Sequence, residues 1–331
     1  MEIGKLPNEV LKKIVFENIS NRRKDILVGA AIGEDNAIID FGDEVCIMST
    51  DPITGATKDI GKLAIYISCN DVASSGAEPI GALLTILAPP ETTEKDIELV
   101  MREAGKASKE LNIEIMGGHT EITDAVTRMV ISTTVVGKQL KKNMIDSKTT
   151  QVGDKVLISK YAGIEGTSII AKELESYLEN KMDKENIKAA QDMGDSISVI
   201  KEGTICGEIG VKYMHDITEG GVLGAIWEGA MAVNKGMKVY KDLIPMKEVT
   251  KEISSILGID PYRLISSGSM LIVTAEDKVK TIKDRLAKED IEITVIGEII
   301  EEGIFIEENG ETKEIQAPAS DELYRALSIL K

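Results

Sequence analysis

Four short segments in the first half of the chain carry residue types that hold cations and phosphates. They are Gly33-Glu34-Asp35-Asn36, Ser49-Thr50-Asp51-Pro52, Cys69-Asn70-Asp71-Val72 and Gly117-Gly118-His119-Thr120-Glu121. Three of them flank apolar runs, so they read as turns at element ends, where sites are usually built. Carboxylates from separate turns suit a magnesium–nucleotide site, because Mg²⁺ takes oxygen ligands octahedrally and shares them with substrate phosphates. Glycines beside them let backbone N–H groups approach phosphate oxygens with no Cβ in the way. Taken singly, Asp35 and Asp51 also fit simple turn formers, since Asp hydrogen-bonds its own local backbone. Asn70-Asp71 is different. It lies inside an otherwise apolar helical stretch, where both residue types are poor helix formers and costly to bury without partners. That conflict points to a site.

The elements that must position these residues follow from periodicity. A first helix is expected over Leu6–Asn18, and short β-type runs flank a Gly42-Asp43 turn within Ala37–Ser49. Asp59–Ser74 has apolar residues at helical spacing, at Ile60, Leu63, Ala64, Ile67 and Val72. Gly81–Ala88 is a buried-strand candidate, and Thr92 or Thr93 can cap a helix running to about Leu111. Further strands are expected at Ile113–Met116 and Arg128–Gly137. The polar, aperiodic stretch Lys138–Asp154 reads as a boundary, which divides the chain into domains 1–145 and 146–331. The second series comprises strands at Lys155–Ser159, Gly210–His215, Met270–Thr274 and Glu292–Gly297, with a hairpin arm at Gly303–Ile306. Its helices are expected near Gly166–Leu178, Asn186–Lys201, Gly220–Ala232, Asp277–Lys288 and Ser320–Ile329. The fold class is α+β in two domains.

Composition bounds the function. The 331 residues carry 39 Lys+Arg against 56 Asp+Glu, a formal charge of −17, which argues against gripping nucleic acid or anionic membrane through net charge. Three dispersed cysteines, Cys46, Cys69 and Cys206, make no CxxC pair, so reduced cytoplasmic thiols are expected. Only two histidines occur, His119 and His215, too few for a His-rich metal cage. No apolar run reaches the roughly 18 residues of a membrane span, and the N-terminus lacks a signal-peptide core. Cys69 reads as a small core hydrophobe, and His215 as either a substrate contact or a packed strand-end residue.

The order GEDNA (Gly33–Ala37), TD (Thr50-Asp51), DIGKLA (Asp59–Ala64), ND…GAEP (Asn70 to Pro79), GGHTE (Gly117–Glu121) and DITEGGVLGA (Asp216–Ala225) resembles one superfamily. It contains aminoimidazole ribonucleotide synthetase, selenophosphate synthetase, thiamine-monophosphate kinase and the hydrogenase-maturation carbamoyl dehydratase, the last being most similar through DIGKLA…ND with GAEP. The resemblance implies a four-stranded N-terminal sheet that pairs with a second subunit's sheet into a barrel across a homodimer, and a C-terminal α/β sandwich. It implies ATP in the cleft between domains, with Mg²⁺ held by Asp35, Asp51 and Asp71. Asn70 would orient phosphates or ligand carboxylates, and Gly117, Gly118 and Thr120 would belong to a turn closely approaching the nucleotide. Asp216, Thr218, Gly220 and Gly221 would line the cleft from the second domain, Gly221 at the positive end of a helix. Lys62 would either offset the γ-phosphate or stand as a solvated helix lysine. The family's chemistry implies transfer of the γ-phosphoryl group to an oxygen of a small-molecule or protein-linked acceptor, with possible partners in hydrogenase maturation.

Two departures from the family pattern stand out. Relatives place an acidic oxygen donor where this chain has His119, an imidazole better suited to Zn or Ni than to Mg²⁺. His119 would contact a phosphate directly, or one metal position would be lost, or Glu121 would substitute. The chain also ends ALSILK, with no cysteine near to carry a thiocarbamate, and no cysteine precedes Cys46, which disfavours selenophosphate chemistry. Competing readings are therefore a non-catalytic nucleotide-binding scaffold, a small-molecule kinase and a ring-closing synthetase.

Overall fold

The computed structural model describes residues 6, 8–31, 35–54, 58–318 and 320–330, so Gly33 and Glu34 of the first motif lie outside the described residues. The first half contains α1 (Asn8–Ile14), β1 (Ile26–Val28), β2 (Ala37–Asp40), β3 (Glu44–Ile53), α2 (Ile60–Ser74), β4 (Glu78–Ala88), α3 (Glu94–Glu110), β5 (Glu114–Ile122) and β6 (Val130–Leu140). Its strands form one mixed sheet in the order β1-β2-β3-β6-β4-β5, with six strands rather than the four expected. The β1–β2 ribbon supplies the additional pair. Only β4 and β5 are parallel, and β5 is an edge strand.

Alternation along β3 decides what meets the core. Val45, Ile47, Ser49 and Ile53 are buried on one face, while Thr50 and Pro52 are exposed on the other. The inner face is covered by α2, against which α3 packs. Thr93 caps α3 reciprocally with Asp96, each side chain accepting from the other's backbone N–H. Every residue of α2 except Lys62 is buried, because the helix lies between the sheet on one side and the second half of the chain on the other. Cys69 is fully buried there, a core residue as its neighbours suggest.

The second half contains β7 (Lys155–Ser159), α4 (Ile164–Glu173), α5 (Glu175–Leu178), α6 (Lys184–Asp192), α7 (Ile200–Ile209), β8 (Tyr213–Asp216), α8 (Gly221–Val233), β9 (Gly236–Tyr240) and α9 (Glu248–Leu257). It continues with β10 (Met270–Thr274), α10 (Glu276–Leu286), β11 (Ile293–Ile300), β12 (Ile304–Glu308), β13 (Glu311–Glu314) and α11 (Glu322–Leu327). A seven-stranded sheet runs β13-β12-β9-β11-β7-β10-β8, antiparallel except where β12 meets β9. Leu271 and Val273 of β10 face a core shared with Ile226 of α8, whereas Met270 and Ile272 face a core shared with Cys206 of α7 and Ile282 of α10. Burial on both faces explains the unbroken apolar run MLIVT. The chain is thus α+β, with an N-terminal mixed sheet and a C-terminal α/β sandwich.

Several expectations need correction. The GGHTE segment is strand, not turn: β5 continues through it to Ile122, paired in parallel with β4. A Cβ on Gly118 would lie 1.8 Å from the Leu84 carbonyl oxygen, so the close approach this glycine permits is between strands. Ser49–Pro52 likewise sits inside β3 rather than in a turn, whereas Asn70-Asp71 lies within α2, as the helical spacing of 59–74 implies. The helix expected over 186–201 ends at Asp192 as α6, interrupted by a 3-10 turn at Met193–Ser196 and by residues 197–199, and α7 then runs over Ile200–Ile209, largely beyond the expected range. Gly194, Asp195 and Ser196 are poor helix formers, and the break is held from outside. Asn70 Nδ2 donates to the Ile197 carbonyl (2.8 Å) and its Oδ1 accepts from the Val199 N–H (2.9 Å). Lys62 and Lys160 bind other carbonyls of the same turn. The elements β1, β9 and α9 match none of the elements that periodicity leads one to expect.

Candidate functional site

Carboxylates from both halves converge at the end of α2. Asp71 is 3% exposed, and Ser49 Oγ donates to its Oδ2 at 2.6 Å. Ser49 and Asp51 share the inner face of β3, two residues apart, which aims both toward α2. Asn36 Nδ2 donates to the Asp71 carbonyl oxygen (2.6 Å) and to Ser75 Oγ (3.0 Å), pinning the segment that carries Asp35 onto the end of α2. From the second half, β8 ends in His215 and Asp216, which are 2% and 1% exposed. As the edge strand of its sheet, β8 delivers these residues toward α2. Ligand atoms of Asp35, His215 and Asp216 lie within 4.8 Å of one another.

The electrostatics are those of crowded acids. Burial raises the Asp71 pKa well above the usual carboxylate value, and Asp216, Asp51 and Asp35 add to the rise, against the hydrogen bond from Ser49. His215 supplies the balancing cation. Its Nδ1 lies 2.8 Å from Asp35 Oδ2 and its Nε2 lies 3.2 Å from Glu228 Oε2. Burial alone would push the imidazole pKa down. Tyr213 and the carboxylates of Asp35 and Glu228 outweigh burial and hold it well above its ordinary value. The carboxyl groups of Asp35, Asp51, Asp71, Asp216 and Glu228 thus gather around a single imidazole, an acid-rich cluster. That oxygen-rich donor set fits a hard divalent cation such as Mg²⁺.

The structure brings together Asp35, Asp51, Asp71 and Asp216, and leaves other expected site residues elsewhere. Lys62 stands about 13 Å along the α2 axis from Asp71. Its Nζ donates to the Gly194 carbonyl (2.9 Å) and to Asp195 Oδ1 (2.8 Å), so it is neither a solvated lysine nor a neighbour of the acids. Asn70 uses one amide N–H and its amide oxygen on the 197–199 backbone. In the loop after β8, the Gly220 N–H donates to Asp321 Oδ2 (2.7 Å) and the Gly221 N–H to the Thr218 carbonyl (3.1 Å). Gly220 and Gly221 both have positive φ, and a Cβ on Gly221 would press within 2.7 Å of two carbonyl oxygens.

Gly117, Gly118, His119 and Thr120 lie on β5. His119 is paired in register with Thr85, an exposed residue on the face of the sheet opposite α2. Its Nε2 lies 3.1 Å from Glu121 Oε2 at the surface, and the sheet separates it from Asp71. The sequence marks Ser49 only as part of the Ser49–Pro52 segment, and it marks neither Glu228 nor the bridging of Asp35 and Glu228 by His215. Two polar residues on the buried stripe of β3 were a signal for Ser49. Nothing local marked Glu228, which is recognisable only once α8 lies beside β8.

Two family models match the chain: AIR synthase related protein, N-terminal domain, over residues 33–139, and AIR synthase related protein, C-terminal domain, over residues 151–308. A protein of Methanocaldococcus jannaschii, provisionally named a hydrogenase expression/formation protein, is 26% identical over 97% of this chain and 96% of its own length. The carbamoyl dehydratase HypE of Bradyrhizobium diazoefficiens is 25% identical over 75% of this chain and 71% of that protein. Among solved structures, the hydrogenase maturation protein HypE in complex with ATP shares the fold at a TM-score of 0.74 and 22% identity, covering 98% of this chain and 97% of that one.

Asp71→Asn removes a buried charge while its amide oxygen can still accept from Ser49. Metal-free protein should gain about 1 kcal/mol or more at pH 8. The folded-state pKa of Asp71 lies above its unfolded value. The native state therefore binds this proton more tightly, and the wild-type penalty grows as pH rises. Urea unfolding at pH 8 and pH 4 checks this; a variant less stable than wild type at pH 8 would contradict it.

Proposed function

Because the chain belongs to the AIR synthase-related family, we propose that it is a Mg²⁺-dependent ATP-binding protein that passes the γ-phosphoryl group to an oxygen of an acceptor, small-molecule or protein-linked. The observation that carries this reading is the convergence of Asp35, Asp51, Asp71 and Asp216 from two halves of the chain at the end of α2, with Asp71 and Asp216 buried. Bound Mg²⁺ would supply charge neutralisation for the phosphates and template their orientation. The chain's own residues do the positioning. Ser49 orients Asp71, Asn36 anchors the segment bearing Asp35, and His215, steadied by Glu228, holds the Asp35 carboxylate. The Thr218–Gly221 loop leads from Asp216 into the N-terminal end of α8, whose positive end favours phosphate. Its tight conformation is fixed by Asp321 rather than by ligand.

Names of relatives support a place in hydrogenase maturation, with a partner protein from that process. A non-catalytic nucleotide-binding scaffold is the second reading, favoured by the position of His119 across the sheet from the acids. A homodimer is supported by the uncovered face and edge of the first sheet, where Ile80, Leu83 and Met116 are exposed.

Millimolar ATP with Mg²⁺ should raise the melting temperature, by the stabilisation of about 2.7 kcal/mol expected at a hundredfold excess over Kd. EDTA or Asp71→Asn should abolish the shift. No shift in wild type would sink the nucleotide reading, and a shift without ADP release on any acceptor would favour the scaffold. Sedimentation should give twice the 35.9 kDa chain mass, and Leu83→Asp should return a monomer; a wild-type monomer would refute the dimer.

A further inference from the structure

The last helix of the chain reaches back to both sides of the acidic cluster. Beyond β13, Ile315 is buried in the core of the second half, and its N–H donates to the Ile304 carbonyl (2.8 Å). The chain then passes the loop after β8, where a Cβ on Gly220 would lie 3.1 Å from that of Pro318. It enters α11, whose Leu323 and Ala326 are buried in the core that also holds α2.

Two side chains of this segment do more than start a helix. Asp321, 4% exposed, accepts N–H groups from separate stretches of backbone: Leu323 in its own helix (2.8 Å), Ile265 ahead of β10 (3.2 Å) and Gly220 ahead of α8 (2.7 Å). Capping α11 needs only the first. Tyr324 Oη donates to Glu219 Oε1 (2.5 Å), and Thr54 hydrogen-bonds the same phenol. Thr54 lies three residues past Asp51 in the first half of the chain, and Glu219 three past Asp216 in the second. The Tyr324 hydroxyl thus bridges the two backbones that carry these acids. The loop held by Asp321 needs holding: Gly220 and Gly221 have φ of +86° and +61°, and glycine loses more freedom than any other residue when it is fixed. A loop ordered in advance spares the ligand that entropy.

We propose that α11 is a clamp on the nucleotide site, with Asp321 and Tyr324 as positioning residues: Asp321 presets the Gly220–Gly221 loop, and Tyr324 fixes the spacing of the Asp51 and Asp216 sides. Resting on the nucleotide reading, the clamp adds to it two residues that act through the backbone and not on the phosphates. The carboxylate form of Asp321 is the one that holds the loop, because a charged acceptor makes the stronger hydrogen bonds. Burial pushes its pKa up to about 6, with Glu219 adding to the rise against the three N–H groups. Glu165 of α4 and Tyr324 of α11 also face it. The grip is therefore complete above this pKa and loosens as pH falls through it.

Isothermal titration of the full chain with ATP in excess Mg²⁺ tests the clamp. Asp321→Asn can keep an oxygen on Leu323 and Ile265 while turning its NH2 on Gly220. ATP should bind this variant about tenfold more weakly than wild type at about pH 7.5, and only about threefold more weakly at about pH 5.5, where wild type has lost most of the same charge. A general loosening of the fold would not close the gap with falling pH. Tyr324→Phe, which lacks one hydroxyl, should weaken ATP about threefold at both pH values. Circular dichroism establishes that the variants are folded, and if Asp321→Asn does not fold, Tyr324→Phe decides. Wild-type binding that neither folded variant weakens, or an Asp321→Asn loss equal at both pH values, overturns the clamp and leaves the nucleotide reading standing. A wild type that binds no ATP sinks the nucleotide reading, and the clamp with it.

Discussion

The burial of Asp71 within α2 is the constraint on which the rest of the structure depends. A helix apolar on every face needs cover on every face. Here the first sheet and α3 cover one part, and the second half of the chain covers the remainder. Close contact is enforced at the backbone. A Cβ on Gly203 of α7 would fall 2.1 Å from the Ala73 carbonyl oxygen, so the two helices meet without side chains between them. The amide of Asn70 closes the same junction. An acid at position 71 is thereby fixed in a dry place, where it is costly unless something positive comes to it.

The second half brings both further acid and partial relief. Asp216 adds a carboxylate at the edge of the seven-stranded sheet, and His215 beside it reaches across to Asp35. The pocket therefore exists only when both halves are docked, and its charge is only partly balanced by the protein. A divalent cation shared with phosphates completes that balance, which links the architecture directly to the proposed chemistry.

Much of this was legible in the sequence. Asn70-Asp71 in an apolar helical run marked a local propensity conflict that tertiary structure repays, for both residues are buried and Asn70 hydrogen-bonds the second half of the chain. The alternation of β3 and the apolar run of β10 gave their strands for the same reason that they fold: one is half-buried and the other buried on both faces. What failed was anything set by distant partners. The glycines of GGHTE suggested a turn, but they serve strand pairing against Leu84. Asn70 looked like a ligand contact, yet its partners lie more than a hundred residues away, where no periodicity points to them. Glu228 gave no signal, since its contact with His215 depends on how α8 lies against β8.

The acidic excess of the chain is mostly solvated surface, and the distinction that matters is between those carboxylates and the few gathered at the end of α2, of which Asp71 and Asp216 are buried. Anomalous diffraction from crystals soaked with Mn²⁺ and ATP tests this most directly. The account predicts a peak about 2.0–2.2 Å from carboxylate oxygens of Asp71 and at least one of Asp35, Asp51 and Asp216, a distance set by octahedral oxygen coordination. A peak coordinated elsewhere, or none at these residues with nucleotide bound, would contradict it.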